Sequence, residues 1–125
     1  MTKSSDGAIN NPFRSIQAGI NFSNDNDSIF VGHGIYNENI HTLEKNIDIA
    51  GENPESTIIR GLGNDVVVRV RSGSSPSLQN FTIENGSSGG DPWVGAGLYT
   101  YGNDAVFRNL IFYLYILLYL RLIPD

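Results

Sequence analysis

Short strand-like segments follow one another along most of this sequence, and no helical stretch separates them. Each segment is apolar or alternates between apolar and polar residues, and each is bounded by Gly, Asn, Ser or Pro. An alternating βαβ fold is excluded because it needs a helical crossover between its parallel strands. The sequence therefore predicts an all-β protein, with strands at residues 28–31, 35–40, 46–50, 57–59, 66–70, 78–83, 97–101 and 106–112.

A weak internal repeat favours a solenoid over a sandwich. A pattern of Asn, an apolar residue, any residue and a second apolar residue begins at Asn46, Asn80 and Asn109. Three short strands and their loops need roughly 20–33 residues for one coil, and the intervals between the three Asn residues are close to that length. We therefore predict a three-sided β-solenoid of about three coils, in which the three Asn side chains stack at one bend. The alternative interpretation is that Asn is merely common in turns.

The same repeat predicts which side chains are buried, because side chains alternate between the two faces of a strand. The outward positions would be Asp48, Thr82 and Ile111, of which one is acidic, so no ladder of carboxylates for Ca²⁺ is expected. The inward stack would run from Ile47 and Ile49 through Phe81 and Ile83 to Leu110 and Phe112.

The N-terminal part of the chain predicts two further segments. Residues 1–11 are polar, lack the apolar core of a secretory signal, and are expected to be disordered. Residues 12–22 have apolar residues at helical spacing and predict a short amphipathic helix, with Pro12 in its first turn and Asn10 or Asn11 as its cap.

The C-terminal residues 113–125 follow different rules, since 10 of these 13 residues are apolar. The apolar run over 110–120 is shorter than the roughly 20 residues of a membrane-spanning helix, so no membrane span is predicted. A buried strand, a capping segment and a non-native continuation after truncation are the alternatives. We expect the last, because all 14 Gly end at Gly102 and all 14 Asn end at Asn109.

Composition excludes several classes of function. The chain has no Cys and therefore no disulfide scaffold and no thiolate metal site. The net charge of −5 argues against nucleic acid as a partner. His33 and His41 lie in turns without the spacing of metal ligands, and the pair Asp25 and Asp27 lacks the later ligands of a Ca²⁺ loop. No metal and no cofactor are predicted.

Residues 27–40 resemble the opening coil of right-handed parallel β-helix proteins of the pectin-methylesterase-like and pectate-lyase-like groups. Gly34, Tyr36 and Glu38 carry the family pattern, and residues 46–61 and 75–86 resemble later coils. The resemblance implies a right-handed parallel β-helix whose N-terminal end is plugged by the helix at 12–22, with coils over 23–112. It also implies an extracellular or cell-surface location.

The sequence contains no recognisable catalytic set. The esterase group carries its Asp, Gln and Arg residues on later coils, and no segment here resembles those motifs. Arg69 and Arg71 are the only paired bases on a strand, and a solvated outer face accounts for them. We therefore predict no catalytic residues and a non-catalytic module of a larger protein. The alternative is the N-terminal part of a pectin-esterase-like or polysaccharide-lyase enzyme, so the assignment as an enzyme stays open.

A cluster of aromatic residues near residues 87–97 is the best candidate binding surface. Trp93 and Asp91 lie in a Gly-rich loop, and Tyr99 and Tyr101 follow in the next strand. Aromatic rings stack on the apolar faces of sugars while carboxylates accept hydroxyl hydrogen bonds, so polysaccharide is the predicted partner. Alternatively, Trp93 covers the solenoid. The exposed end of a short solenoid also predicts self-association.

Overall fold

The computed structural model describes residues 7–71, 73–88, 96–102 and 104–113. Within these residues the chain forms one helix and nine strands, and every pairing between the strands is parallel. The elements are α1 (Ile16–Phe22), β1 (Ser28–Val31), β2 (Gly34–Asn37), β3 (Ile40–His41), β4 (Asp48–Gly51), β5 (Thr57–Arg60), β6 (Val68–Val70), β7 (Ser77–Glu84), β8 (Leu98–Thr100) and β9 (Val106–Tyr113).

The described strands stack into three coils and part of a fourth. The first side consists of β1, β4 and the first halves of β7 and β9. The second side consists of β2, β5 and the second halves of β7 and β9, and the third side is the separate sheet β3-β6-β8. The architecture is a partial right-handed parallel β-helix, which confirms the predicted fold class.

Asparagine in a left-handed conformation turns the chain between the first and second sides. Asn80 and Asn109 have φ values of 66° and 51° and interrupt β7 and β9 at the same level. The Asn109 Nδ2 donates to Asn80 Oδ1 at 3.1 Å, and the Asn80 Nδ2 donates to the Gly51 carbonyl at 3.3 Å. Two of the three predicted Asn residues therefore stack at one bend.

Asn46 does not join that stack, so this part of the predicted alignment is wrong. Asp48 pairs with Ser77, and the same register places Asn46 beside Ser75, whose backbone N–H donates to Asn46 Oδ1 at 2.6 Å. The reason is that Gly51 occupies the bend position in the second coil, while Asn46 lies at the preceding corner.

The shifted register also changes the predicted stacks of side chains. Ile49 pairs with Leu78, whereas Ile83 pairs with Ile59. The stacking of Phe81 and Ile83 beneath Leu110 and Phe112 is found as predicted. The side chains that fill the interior are buried to 5% exposure or less and come from all three sides and the helix: Ile16, Ile20, Val31, Ile40, Ile47, Ile49, Ile59, Val66, Val67, Val68, Val70, Leu78, Phe81 and Ile83.

Helix α1 closes the N-terminal end of the coils with its buried Ile16, Gly19 and Ile20. It begins later than the sequence predicts, because Ser15 and not Asn10 or Asn11 is the N-cap. The Ser15 hydroxyl accepts from the backbone N–H of Ala18 at 3.0 Å, and this contact fixes the first turn.

Two charged side chains of the coils hold the ends of this helix. The Glu38 carboxylate accepts from the backbone N–H groups of Ile16 and Gln17 at 3.0 and 2.9 Å. The Lys45 ammonium donates to the carbonyls of Ile20 and Ser23 at 2.7 and 2.6 Å. Both charges have the sign that the helix dipole favours at that end.

Two of the predicted segments lie largely outside the described residues. These are most of the N-terminal stretch 1–11 and all of the tail 113–125 except Tyr113. In the part that is described, no helix has the length and apolar composition needed to cross a bilayer.

Candidate functional site

The three residues of the family pattern build the fold rather than a site. Gly34 has a φ of 147°, a backbone angle that residues with a side chain rarely adopt. The Tyr36 hydroxyl donates to the Gly32 carbonyl at 2.7 Å, and burial, followed by the charges of Glu38 and Glu52, raises the pKa of Tyr36. Glu38 caps the helix, so the pattern explains how the first coil and the plug fit together.

A polar row crosses the outer face of the third side. His41, Arg69 and Tyr99 lie opposite one another on β3, β6 and β8, so each is about 4.8 Å from the next along the solenoid axis. Tyr101 follows Tyr99 on the same face, with the two ring centroids 6.3 Å apart and tilted by 48°. We call His41, Arg69, Tyr99 and Tyr101 the tyrosine face.

Arg69 occupies the centre of the tyrosine face. Its guanidinium carbon lies 5.2 Å from the centroid of the Tyr99 ring, within the range of a cation–π contact. One of its nitrogens also lies 3.0 Å from a carboxylate oxygen of Asp65. These two contacts hold the planar guanidinium in place while its side chain stays 31% exposed.

His41 forms one end of the tyrosine face. Burial, followed by the positive charges of Arg71 and Arg69, lowers the pKa of His41 below its usual value. Its Nδ1 accepts from the backbone N–H of Leu43 at 2.8 Å, so the neutral ring carries its proton on Nε2. That Nε2 is buried and has no hydrogen-bond partner among the residues that the structure describes.

The four residues predicted to bind carbohydrate are divided by the structure. Tyr99 and Tyr101 are brought together on β8 and just after it. Trp93 and Asp91 lie outside the described residues. Their predicted role remains a prediction.

The predicted alignment of Asp48, Thr82 and Ile111 in one outward column is wrong, because Asp48 pairs with Ser77 whereas Thr82 pairs with Ile111. The shift of register described above is the cause. Over the described ranges, no group of three or more acidic, His or Cys side chains has the arrangement of a metal site.

An exposed pair joins the first two coils at another corner. Glu52 lies 2.7 Å from both the backbone nitrogen and the ring Nδ1 of His33. The hydrogen bond from the His33 backbone, with that from its ring, lowers the pKa of Glu52. The pair ties two loops together. Both side chains are well exposed, so the pair does not enclose a cavity.

Local sequence reasoning missed the tyrosine face as a unit. Arg69 and the two tyrosines are recognisable singly, but His41, Arg69 and Tyr99 belong to three different coils and lie far apart along the chain. Outward polar residues that recur at the spacing of one coil are the signal by which His41, Arg69 and Tyr99 could have been found together.

The comparisons with known proteins agree with the fold. A search of solved structures matches the chain to the crystal structure of a pectin methylesterase mutant in complex with a hexasaccharide, with a TM-score of 0.60 and 15% sequence identity. The match covers 90% of this chain and 46% of the enzyme chain, so this chain spans less than half of that enzyme's length. No protein-family model matches the sequence, and no curated protein matches it significantly.

Proposed function

We propose that this chain is a non-catalytic, polysaccharide-binding β-helix module of a larger extracellular or cell-surface protein. The observation that carries the proposal is the tyrosine face, where Arg69 lies against Tyr99 and Tyr101 lies beside it. The β-helix fold is shared with a pectin methylesterase whose structure holds a hexasaccharide, and this supports a saccharide as the ligand.

The chemistry of the tyrosine face suits a sugar chain. The Tyr99 and Tyr101 rings offer apolar surfaces for pyranose rings, and their hydroxyls and the Arg69 guanidinium supply hydrogen bonds to hydroxyl or carboxylate groups. Tyrosine has few rotatable bonds, so binding costs little side-chain entropy. The face is supported by β6, whose Val68 and Val70 are buried in the core.

Neither His41, on the tyrosine face, nor Asp65, beside it, is placed as a free general base, which favours binding over catalysis. The Asp65 carboxylate is paired with Arg69, and the Nδ1 of His41 accepts from the backbone N–H of Leu43. A general base must reach the proton that it removes from the substrate. The Nε2 of His41 carries a proton when the ring is neutral and is buried, so it is not placed to act as that base.

A glycan array tests the proposal. Wild-type protein is expected to bind at least one class of plant or microbial polysaccharide, and Tyr99→Ala is expected to weaken that binding about fivefold, since an aromatic contact contributes roughly 1 kcal/mol. Ile35→Ala is the control, because Ile35 is an exposed apolar residue of β2, on the second side of the coils. Equal binding by all three proteins, or none by the wild type, contradicts the proposal.

A second candidate function rests on the fold match alone. The chain corresponds to part of a carbohydrate esterase or lyase whose later coils carry the reaction, as the 46% coverage of the pectin methylesterase permits. The coding sequence downstream of Phe112, read in all frames, distinguishes the two functions. Further coils that carry a cluster of Asp residues or pairs of Asp and Arg would favour the enzyme, whereas further Asn-apolar repeats without such residues are expected for the module.

We also propose self-association through the last described coil. Ile111, Phe112 and Tyr113 of β9 are 36%, 52% and 56% exposed, and a sheet edge with apolar residues pairs readily with another chain. Sedimentation velocity is expected to show larger species as the protein concentration rises. A single monomer boundary at every concentration contradicts this part of the proposal.

A further inference from the structure

The turn between β3 and β4 has a backbone conformation that the proposed function does not use. Leu43 and Glu44 have φ values of 57° and 59°, a left-handed conformation that is unfavourable for residues with a side chain. Both side chains are exposed, so burial in the core does not offset this cost. The backbone N–H of Lys45 donates to the Thr42 carbonyl at 3.2 Å and closes the turn. We call residues 42–45 the strained turn.

A second hydrogen bond that closes the strained turn ends on an ionisable side chain. The backbone N–H of Leu43 donates to Nδ1 of His41 at 2.8 Å, and that nitrogen can accept only while it carries no proton. A proton added to Nδ1 turns the acceptor into a donor and sets two N–H groups against each other. Protonation of His41 therefore removes a contact that holds the strained turn closed.

The surroundings of His41 favour the neutral ring. Arg69 and Arg71 face it from β6, Glu44 faces it from the strained turn, and the uncharged Gln17 of α1 binds its backbone. Burial and the two arginines lower the pKa of His41, against the opposite effect of Glu44. The closed turn thus disfavours the proton, whereas an open turn, in which the ring reaches solvent, binds it at an ordinary pKa. Acidification below about pH 6.5 consequently favours the open turn.

The strained turn also holds the C-terminal end of helix α1, the plug. Lys45 is the last residue of the turn, and its Nζ donates to the carbonyls of Ile20, Asn21 and Ser23 at 2.7, 3.1 and 2.6 Å. The ammonium therefore lies at the negative end of the helix dipole. Opening of the turn moves the backbone that carries Lys45 and takes this charge away from the helix end.

We propose that His41 is a pH-sensitive switch: at neutral pH it keeps the strained turn closed and the plug docked, and its protonation opens the turn and releases the C-terminal end of the plug. The opposite end of the helix stays bound to Glu38, so the helix frays from Phe22 and does not leave the coils as a whole. Fraying uncovers Ile20, which is fully buried while the turn is closed.

Hydrogen–deuterium exchange read by mass spectrometry tests the switch in the full chain, with rates corrected for the intrinsic effect of pH on exchange. Protection of the α1 amides is expected to fall about tenfold between about pH 7.5 and about pH 5, because opening takes up one proton. Strand β7, in the centre of the coils, is the internal reference and is expected to lose much less protection. An equal loss in α1 and β7 would show unfolding of the whole chain and would overturn the switch.

Two histidine variants separate the titrating group. His41→Asn removes the titration but keeps an acceptor, because an Asn side chain accepts from the backbone N–H two residues further on. Its α1 protection is expected to lose most of the dependence on pH. His33→Asn is the matched control, since His33 is the other histidine of the chain and is exposed at a different corner. It is expected to keep the wild-type fall.

Two further variants retain His41 and test the strain and the link to the plug. Leu43→Gly tolerates the positive φ, so the turn is expected to stay closed at lower pH and the fall in α1 protection to shrink. Lys45→Met leaves His41 free to titrate but cuts its connection to the helix, so α1 is expected to be weakly protected at both pH values. The switch is overturned if His41→Asn behaves like His33→Asn, if Leu43→Gly leaves the fall unchanged, or if Lys45→Met retains the wild-type dependence on pH.

Discussion

Gly61 lies where two coils approach so closely that a single methyl group is expected to separate them. A Cβ at this position would be 2.7 Å from the carbonyl oxygen of Asn85 in the next coil and 2.7 Å from Cγ2 of Val67. The Asn85 side chain also donates to the Gly61 carbonyl at 2.8 Å, so the contact joins the second and third coils at a corner. Replacing Gly61 by Ala tests whether this corner contact holds the stack together.

The cost follows from these distances. Ordinary contacts of a Cβ begin near 3.4 Å, so the distances from the new Cβ to the Asn85 carbonyl oxygen and to the Val67 side chain must each increase by about 0.7 Å. Overpacking of this kind costs about 1–3 kcal/mol, and loss of the Asn85 hydrogen bond adds about 1 kcal/mol. The expected destabilisation of roughly 2–4 kcal/mol corresponds to a fall in Tm of roughly 8–16 °C for a chain of this length.

Thermal unfolding followed by circular dichroism measures this effect, with Gly32→Ala as the matched control. A Cβ on Gly32 meets only the end of the Glu52 side chain at 4.0 Å. The control is expected to be neutral or to stabilise by up to about 1 kcal/mol, since Ala restricts the unfolded chain. If Gly61→Ala melts at the same temperature as Gly32→Ala, the close approach of the coils is not what fixes this corner.

Three further predictions concern the plug, the bend and the tyrosine face. Glu38→Gln is expected to lower stability by about 1–2 kcal/mol in urea unfolding, because the helix N-terminus loses a charged acceptor; an unchanged midpoint would contradict this. Asn80→Ala is expected to lower the free energy of unfolding by about 1–2 kcal/mol, because it removes the hydrogen bonds to Gly51 and Asn109 and places Ala at a positive φ. Asn80→Gly removes the same hydrogen bonds but tolerates the positive φ, so its loss is expected to be smaller. Equal losses in the two variants would argue against a conformational role of Asn80. The pKa of His41 is lowered in the folded state, so the free energy of unfolding is expected to fall as the pH drops below about 6.5 towards the folded pKa. His41→Gln should reduce this dependence of the free energy of unfolding on pH. An unchanged dependence in the variant would exclude His41 as its source.

Local patterns in the sequence predict most of the strands but not their register. The segments near β4, β5 and β7 are recognisable because apolar residues alternate between Gly and Asn boundaries. The bend between the first and second sides, however, requires only a residue that tolerates a positive φ or the close approach of the neighbouring coil. Asn80 adopts the positive φ, and Gly51 tolerates the close approach. A search for repeated Asn therefore chose Asn46, which lies at a different corner.

The start of the helix shows the same limit. Pro12 and the two preceding Asn residues form a plausible local start, yet the helix begins at Ile16. Glu38, from the far end of the first coil, supplies the acceptor that makes this position the favourable end. Tertiary contacts between the coils and the plug thus override a local capping signal.

The tyrosine face is unpredictable from any single segment of the sequence. His41, Arg69 and Tyr99 come from three coils, and the intervals between them along the chain depend on loop lengths that the strand pattern does not determine. On the first side of the coils, the interval from β1 to β4 is shorter than the later intervals, so even two sides of one solenoid need different alignments. Outward residues contribute little to the core, and the inward residues fix the register of the strands that carry them. The loop lengths set the number of residues in each coil and therefore which outward side chains become neighbours. A surface of this fold can therefore be predicted only after the inward residues of successive coils have been aligned.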